Sequence, residues 1–166
     1  MNIIRGPAAV TQMVKDCINA EITQDGLLSD VETFIPAYRY EEEYEEPVIW
    51  MYEHETTVAD GRVGALSKKQ LLQTPYEFFC VVYDEDGIEQ SEIRGKDLAT
   101  RVAASIIKNA KRKDEQNTWV FNRLLFDSLY PSGTVDIVEK SERAVVTSIK
   151  IVIEYFIDRT ICCSRN

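Results

Sequence analysis

A run of alternating residues near the C-terminus constrains the fold more than any other feature of this chain. Between positions 144 and 161, one face of the pattern carries Val145, Thr147, Ile149, Ile151, Ile153, Tyr155 and Ile157. The other face carries Lys150, Glu154 and Asp158, with Val152 and Phe156 among them. Because strand side chains alternate between two faces, the pattern predicts a long strand. Residues 134–139 predict the preceding arm of a hairpin, joined to it through residues 140–143.

Two segments show the spacing of amphipathic helices. The first covers residues 7–22: Pro7 suits a first helical turn, and its apolar stripe is Val10, Met13, Val14, Cys17 and Ile18. The second begins around Gly95 and Asp97, and its buried face is Leu98, Ala99, Val102, Ala103, Ile106, Ile107 and Ala110. We expect its last turn to carry Lys108, Lys111 and Arg112, where the helix dipole favours cations.

Three further segments read as strands. Residues 31–40 predict an extended segment that Pro36 restricts to a sheet edge or a bulge. Residues 47–58 are rich in aromatic and β-branched residues, and residues 76–83 are apolar on both faces, which is typical of a central strand.

Other segments are less distinct. We expect a loop at 60–66 and a short helix from Ser67 to Leu72, with Ser67 as its cap. Residues 119–130 fit either a short helix or a strand. The Pro131–Gly133 segment should interrupt the regular secondary structure.

The order of these elements predicts the fold class. Strands follow one another and two main helices can cover one face of their sheet, so we expect an α+β fold with a mostly antiparallel sheet and a long C-terminal β-hairpin. A chain of 166 residues fits a single domain spanning 1–166.

Charge is unevenly distributed along the chain. Residues 94–113 contain seven basic residues and one acid, Asp97, which gives +6; the total is −9, so the remainder carries −15. The basic residues are Arg94, Lys96, Arg101, Lys108, Lys111, Arg112 and Lys113. This division suits head-to-tail or ring contacts between copies, and the acidic total argues against a dedicated duplex-DNA binder.

An acidic run at 41–46 is the second candidate contact surface. It reads either as a solvated turn or as an acidic wall that lets DNA slide past without sticking. The predicted interface residues are therefore Arg94, Arg101, Lys108, Lys111 and Arg112 in the basic segment. In the acidic run they are Glu41, Glu42, Glu43, Glu45 and Glu46.

Nothing in the sequence predicts a catalytic centre. His54 is the sole histidine, and we expect Glu53 and Glu55 to point away from it across the strand. Glycine-rich phosphate loops and nucleophile elbows are missing from the sequence. Asp84–Gly87 lacks the spaced ligands of a calcium loop. We expect no enzymatic activity, no cofactor and no metal.

The four cysteines indicate free thiols in a reducing cytosol. Cys17 and Cys80 fall on apolar positions, and the adjacent Cys162 and Cys163 fit a frayed tail, because zinc sites need spaced pairs. Neither a signal peptide nor a membrane span is readable, so we expect a soluble, intracellular protein.

Several stretches together resemble the tail terminator (tail-completion) proteins of tailed bacteriophages and phage-tail-like particles. They are the helix at 7–22, the strand at 47–55, the unit from 76 to 112, and the closing block from 128 to 163. The resemblance lies in the size of the chain, the order of its elements and the general character of its sequence. It covers most of the chain.

The resemblance implies a structural function. Such a protein forms a hexameric ring on the head-proximal end of the tail tube, stops tube growth and presents a surface to the neck or head connector. In contractile tails the last sheath ring can attach there as well. DNA passes through the channel without specific binding, and no membrane is involved. The expected locations are the host cytoplasm during assembly and then the tail. The alternatives are another head–tail connector or neck protein, or a small ligand-binding domain or enzyme.

Overall fold

The computed structural model describes residues 6–36, 45–59, 69–115, 117, 119–137 and 142–158. Two helices and six strands follow one another along these residues. In chain order they are α1 (Pro7–Asn19), β1 (Thr33–Ile35), β2 (Val48–Glu53), β3 (Thr57–Val58), β4 (Lys69–Val82), α2 (Ile88–Asn109), β5 (Arg123–Ile137) and β6 (Glu142–Asp158). The predicted α+β class, with two main helices and a long C-terminal hairpin, is confirmed.

The strands form one mixed sheet in the order β1-β2-β4-β6-β5. Short β3 also pairs with β4, further along the edge that β2 occupies. The β1–β2 pair is parallel and the other pairs are antiparallel. The apolar segment at 76–83 predicted a central strand, and β4 is indeed flanked on both sides.

Both helices cover the same face of the sheet. Helix α1 buries Val10, Val14, Cys17 and Ile18, and α2 buries Leu98, Ala99, Val102, Ala103 and Ile106. They form one core with Tyr76 and Phe78 of β4 and with Ile149, Ile151, Ile153 and Tyr155 of β6. The long strand predicted at 144–161 is confirmed by β6, and residues of its other face, such as Val146 and Ser148, are buried as well.

The packing of α2 on β6 depends on Gly95. A Cβ atom at Gly95 would lie 2.5 Å from the Oγ1 atom of Thr147, closer than two such atoms can approach. Thr147 Oγ1 is buried and has no hydrogen-bond partner among the described residues. A small residue in the helix thus lets it approach the strand closely.

The helix predicted from Ser67 to Leu72 is wrong where the structure describes it. Residues 69–72 belong to β4, and Leu72 pairs with Tyr155 of β6. A strand partner that lies far away in sequence therefore overrides the local helical signal. Ser67 and the loop predicted at 60–66 lie outside the described residues.

Other boundaries also differ from the prediction. Helix α2 begins at Ile88, well before Gly95, and ends at Asn109, so Lys111 and Arg112 follow the helix and do not lie in its last turn. The ambiguous residues from Arg123 onward form β5, which continues through Pro131–Gly133. It does so with register irregularities between Phe126 and Ser128 and between Pro131 and Gly133. The segment 47–58 divides into β2 and β3.

Candidate assembly surfaces

Two of the predicted contact residues form simple ion pairs within the chain. Arg94 Nη1 lies 2.9 Å from Asp84 Oδ2, and Lys108 Nζ lies 2.9 Å from Glu21 Oε1. Both residues therefore hold α2 to neighbouring segments, whether or not they also meet a partner.

Arg101 makes the most extensive set of these contacts. Its guanidinium donates two hydrogen bonds to the Asp30 carboxylate, one to Asp97 Oδ2 and one to the backbone carbonyl of Leu27. The bonds to Arg101 lower the pKa of Asp30, and the bonds to Asp30 raise the pKa of Arg101. Arg101 thus fixes the turn between α1 and β1 to the middle of α2.

Glu21 holds the other end of that turn. It accepts hydrogen bonds from Asn109 Nδ2 at 2.8 Å and from the Leu27 backbone N–H at 2.9 Å. These bonds, together with the one from Lys108, lower the pKa of Glu21 to about 2. Gly26 is required in the same turn, because a Cβ atom there would lie 2.1 Å from the Glu21 carbonyl oxygen.

The exposed basic residues follow the C-terminus of α2. Lys111, Arg112 and Lys113 are all exposed, and we call them the basic end. Lys113 Nζ lies 4.9 Å from the centre of the Trp119 ring, within the range of a cation–π contact.

Glu46, at the end of the acidic run, lies beside a second acidic segment that the sequence did not connect with it. Because β2 and β4 are antiparallel, with Val48 opposite Val81, residues that precede β2 lie beside residues that follow β4. We call Glu46, Asp84, Glu85 and Asp86, which line one open cleft, the acidic end. Arg94 lines the same cleft and is paired with Asp84. Glu45 is exposed beside them, whereas Glu41, Glu42 and Glu43 lie outside the described residues.

Helix α2 separates these two charged regions. It starts directly after the acidic end and finishes directly before the basic end. Its 22 residues correspond to roughly 33 Å at 1.5 Å per residue. Opposite charges therefore occupy the two ends of one helix that is packed firmly on the sheet.

His54 belongs to a polar cluster on the sheet face opposite the helices. Its Nε2 atom lies 2.8 Å from Glu77 Oε2, and its ring stands edge-on to Tyr52. Glu77 Oε1 accepts hydrogen bonds from Ser148 Oγ at 2.5 Å and from Tyr130 OH at 3.0 Å. Burial raises the pKa of Glu77, but these three hydrogen bonds together lower it by more. Its pKa therefore lies below its ordinary value.

The Glu77 cluster joins three strands and the end of a fourth. Glu77 lies on β4, Ser148 on β6 and Tyr130 on β5, and His54 directly follows β2. Sequence reasoning placed His54 on a strand but missed Glu77. The signal that could have revealed it is a carboxylate within the apolar run 76–83, because a buried carboxylate requires partners.

The described residues include two of the four cysteines. Cys17 and Cys80 are buried free thiols, and burial raises their pKa values to about 11 and about 12. Within the same residues, no three His, Cys, Asp or Glu side chains lie close enough together to bind a metal. Cys162 and Cys163 are outside the described range.

A further cleft lies between α1 and the segment that follows α2. It has a volume of about 690 Å³, and its walls carry Gln12, Asp16, Lys111 and Asp114. These charges face an open cleft of mixed polarity.

Comparison with protein-family models finds no match, and comparison with curated protein sequences finds none either. Among the residues that the structure describes, no helix combines the length and apolar character needed to cross a membrane.

Proposed function

We propose that this chain is a structural protein of a phage tail or phage-tail-like particle. In this proposal, copies of the chain assemble into a ring, cap the head-proximal end of the tail tube and stop its growth. The observation that carries the proposal is the separation of the acidic end from the basic end by α2. The resemblance of several stretches to tail terminator proteins supports the same conclusion.

Charge separation of this kind favours contacts between unlike surfaces of identical copies. When the acidic end of one copy meets the basic end of the next, the contact is heterologous, and repeated contacts close into a ring if their rotation permits. Complementary charges also steer copies together and disfavour pairings of like ends. The ion pairs of Arg94, Arg101 and Lys108 hold α2 in place, so the acidic end and the basic end keep fixed positions relative to each other.

In this proposal the ring works by shape and charge, without making or breaking a bond. One face matches the tail tube, and the other meets the neck or connector protein instead of another tube subunit. An acidic wall in the channel would repel DNA phosphates, so DNA would pass through without being held.

Electron microscopy of the purified protein, alone and mixed with tail tubes, tests the proposal. We expect rings with a central hole and tubes capped at one end, and tails made without the protein should vary in length. Rings that leave tube length unchanged would indicate a neck or connector protein instead. A protein that stays monomeric and never binds tubes would contradict the proposal.

A further inference from the structure

An apolar groove runs between α2 and the edge strand β5. It has a volume of about 510 Å³, and small residues of α2 line it beside Ile149 of β6. Three larger side chains on its walls are unusually exposed for apolar residues: Ile107 at 59%, Phe126 at 50% and Leu129 at 41%.

The topology explains why this groove is open. Leu129 pairs with Ile149 and Phe126 pairs with Ile151, so both groove residues lie on the helix-covered face of the sheet. Helix α2 packs chiefly against β4 and β6. The edge strand therefore extends past the helix layer, and its apolar side chains lack a cover from the described helices.

A projecting apolar residue lies at the opposite end of α2. Ile88 is 51% exposed and follows a tight turn at 84–87, in which Gly87 has a φ of 111°. Hydrogen bonds hold this turn: the Asp84 N–H donates to Ser91 Oγ, Ser91 Oγ donates to the Gly87 carbonyl, and the Asp86 N–H donates to Asp84 Oδ1. Ile88 is thus presented on a preorganised support, which reduces the entropy that a contact must overcome.

The charges around the two features are complementary. Residues 84–92 contain five acidic residues and no basic one. Residues 98–113, which include the helical wall of the groove, contain five basic residues and no acidic one, although Arg101 and Lys108 are paired within the chain. The one charged residue among those that line the groove, Asp127, has its carboxylate 4.0 Å from Lys150 Nζ. Lys111, Arg112 and Lys113 remain exposed at this end. An acidic segment with an apolar tip therefore suits the surroundings of the groove.

We propose that the groove of one copy receives Ile88 of a second copy. Ile88 cannot reach the groove of its own chain, because 15 residues of the same helix separate it from Ala103, a distance of roughly 22 Å. The contact joins two different surfaces, so it can repeat from copy to copy. This inference rests on the proposed ring and specifies the contact between its subunits.

Two substitutions test the contact, each with a matched control. Ile88→Lys places a cation on the acidic tip, and Leu129→Glu places an acid in the groove. The controls are Val58→Lys and Phe156→Glu, which alter apolar residues exposed elsewhere. In sedimentation velocity we expect each test variant to weaken self-association at least about tenfold, as the loss of one buried apolar side chain implies. The controls should associate like the wild type, and unchanged circular dichroism should show that all four fold.

Mixing the two test variants tests whether the contact is heterologous. Each variant alone has one damaged surface, but the mixture contains one intact groove and one intact Ile88 tip. We expect the mixture to form dimers and nothing larger. If Leu129→Glu abolishes association while Ile88→Lys does not, the groove meets another groove and the proposed contact is overturned.

The remaining outcomes separate this inference from the proposed function. If both test variants form rings as the wild type does, the proposed contact is overturned but the proposed ring is not. A wild-type protein that neither associates nor binds tail tubes would overturn the function, and the contact with it.

Discussion

The two faces of β4 are stabilised in different ways. On the helix-covered face, Tyr76, Phe78 and Cys80 are fully buried among apolar side chains of both helices. On the opposite face, Phe79 and Val81 join a smaller apolar cluster, and next to them Glu77 accepts hydrogen bonds from three neighbouring segments.

This difference shows how one strand can serve both a core and a polar cluster. The helix-covered face depends on area removed from water and on close packing, whereas the opposite face depends on donors that converge on one carboxylate. We therefore expect substitutions on the two faces to differ in size and in pH dependence.

The largest effect should come from the apolar face. Phe78→Ala removes a fully buried ring and should lower the free energy of unfolding by about 3–5 kcal/mol. Urea unfolding followed by tryptophan fluorescence measures it, with the partly exposed Phe156→Ala as a control that should cost far less. Equal losses in both variants would contradict the assignment of the main core.

A smaller loss should follow when the carboxylate is removed. Glu77→Leu leaves the buried Ser148 hydroxyl without its acceptor and should cost about 2–3 kcal/mol. Adding Ser148→Ala to Glu77→Leu should restore part of that loss, because both partners are then apolar. If the second change lowers stability further, the Glu77–Ser148 hydrogen bond does not explain the first loss.

The contact between α2 and β6 should show a smaller effect still. Gly95→Ala forces a methyl group against Thr147 Oγ1 and should destabilise the protein by about 1–2 kcal/mol, although alanine favours helices. Thr147→Ala in the same chain removes the obstructing atoms. The double variant should therefore be more stable than Gly95→Ala alone, as measured by thermal unfolding.

The last effect is a change in how the stability depends on pH. The folded pKa of Glu21 is about 2 and its unfolded pKa is about 4.3, so the charged form stabilises the folded state above the unfolded pKa. That contribution should be lost as the pH falls from about 4.3 towards 2. Glu21→Gln should therefore show a shallower decline in stability over this range, measured by urea unfolding at several pH values. An identical decline in both proteins would contradict it.

The parts of the fold predicted from sequence are those with strong local periodicity. The long strand β6 and the apolar stripe of α1 follow directly from patterns of two and of 3.6 residues. The helix expected at 67–72 failed because Leu71 and Leu72 take part in pairing with Phe156 and Tyr155. Residues 123–130 were ambiguous for the same reason, since β6 decides their conformation.

The candidate surfaces were predicted only in part, because they combine distant segments. The sequence identified the basic segment, but not that Asp30, Asp84 and Glu21 neutralise three of its members. The sequence also did not show that Glu46 lies beside Asp84–Asp86, because that proximity depends on the pairing of β2 with β4. The groove beside β5 was not predictable, since the sequence does not show where the helix layer stops.

The irregular pairing of β5 affects whether copies of this protein can aggregate through their sheet edges at high concentration. Interruptions on both sides of Leu129–Tyr130 and the proline at 131 keep the outer border of β5 from offering a long, even ladder to another chain. Open-ended fibrous growth is discouraged there even when newly made copies are concentrated. The specificity of contacts at this edge therefore depends on side chains and not on backbone hydrogen bonds.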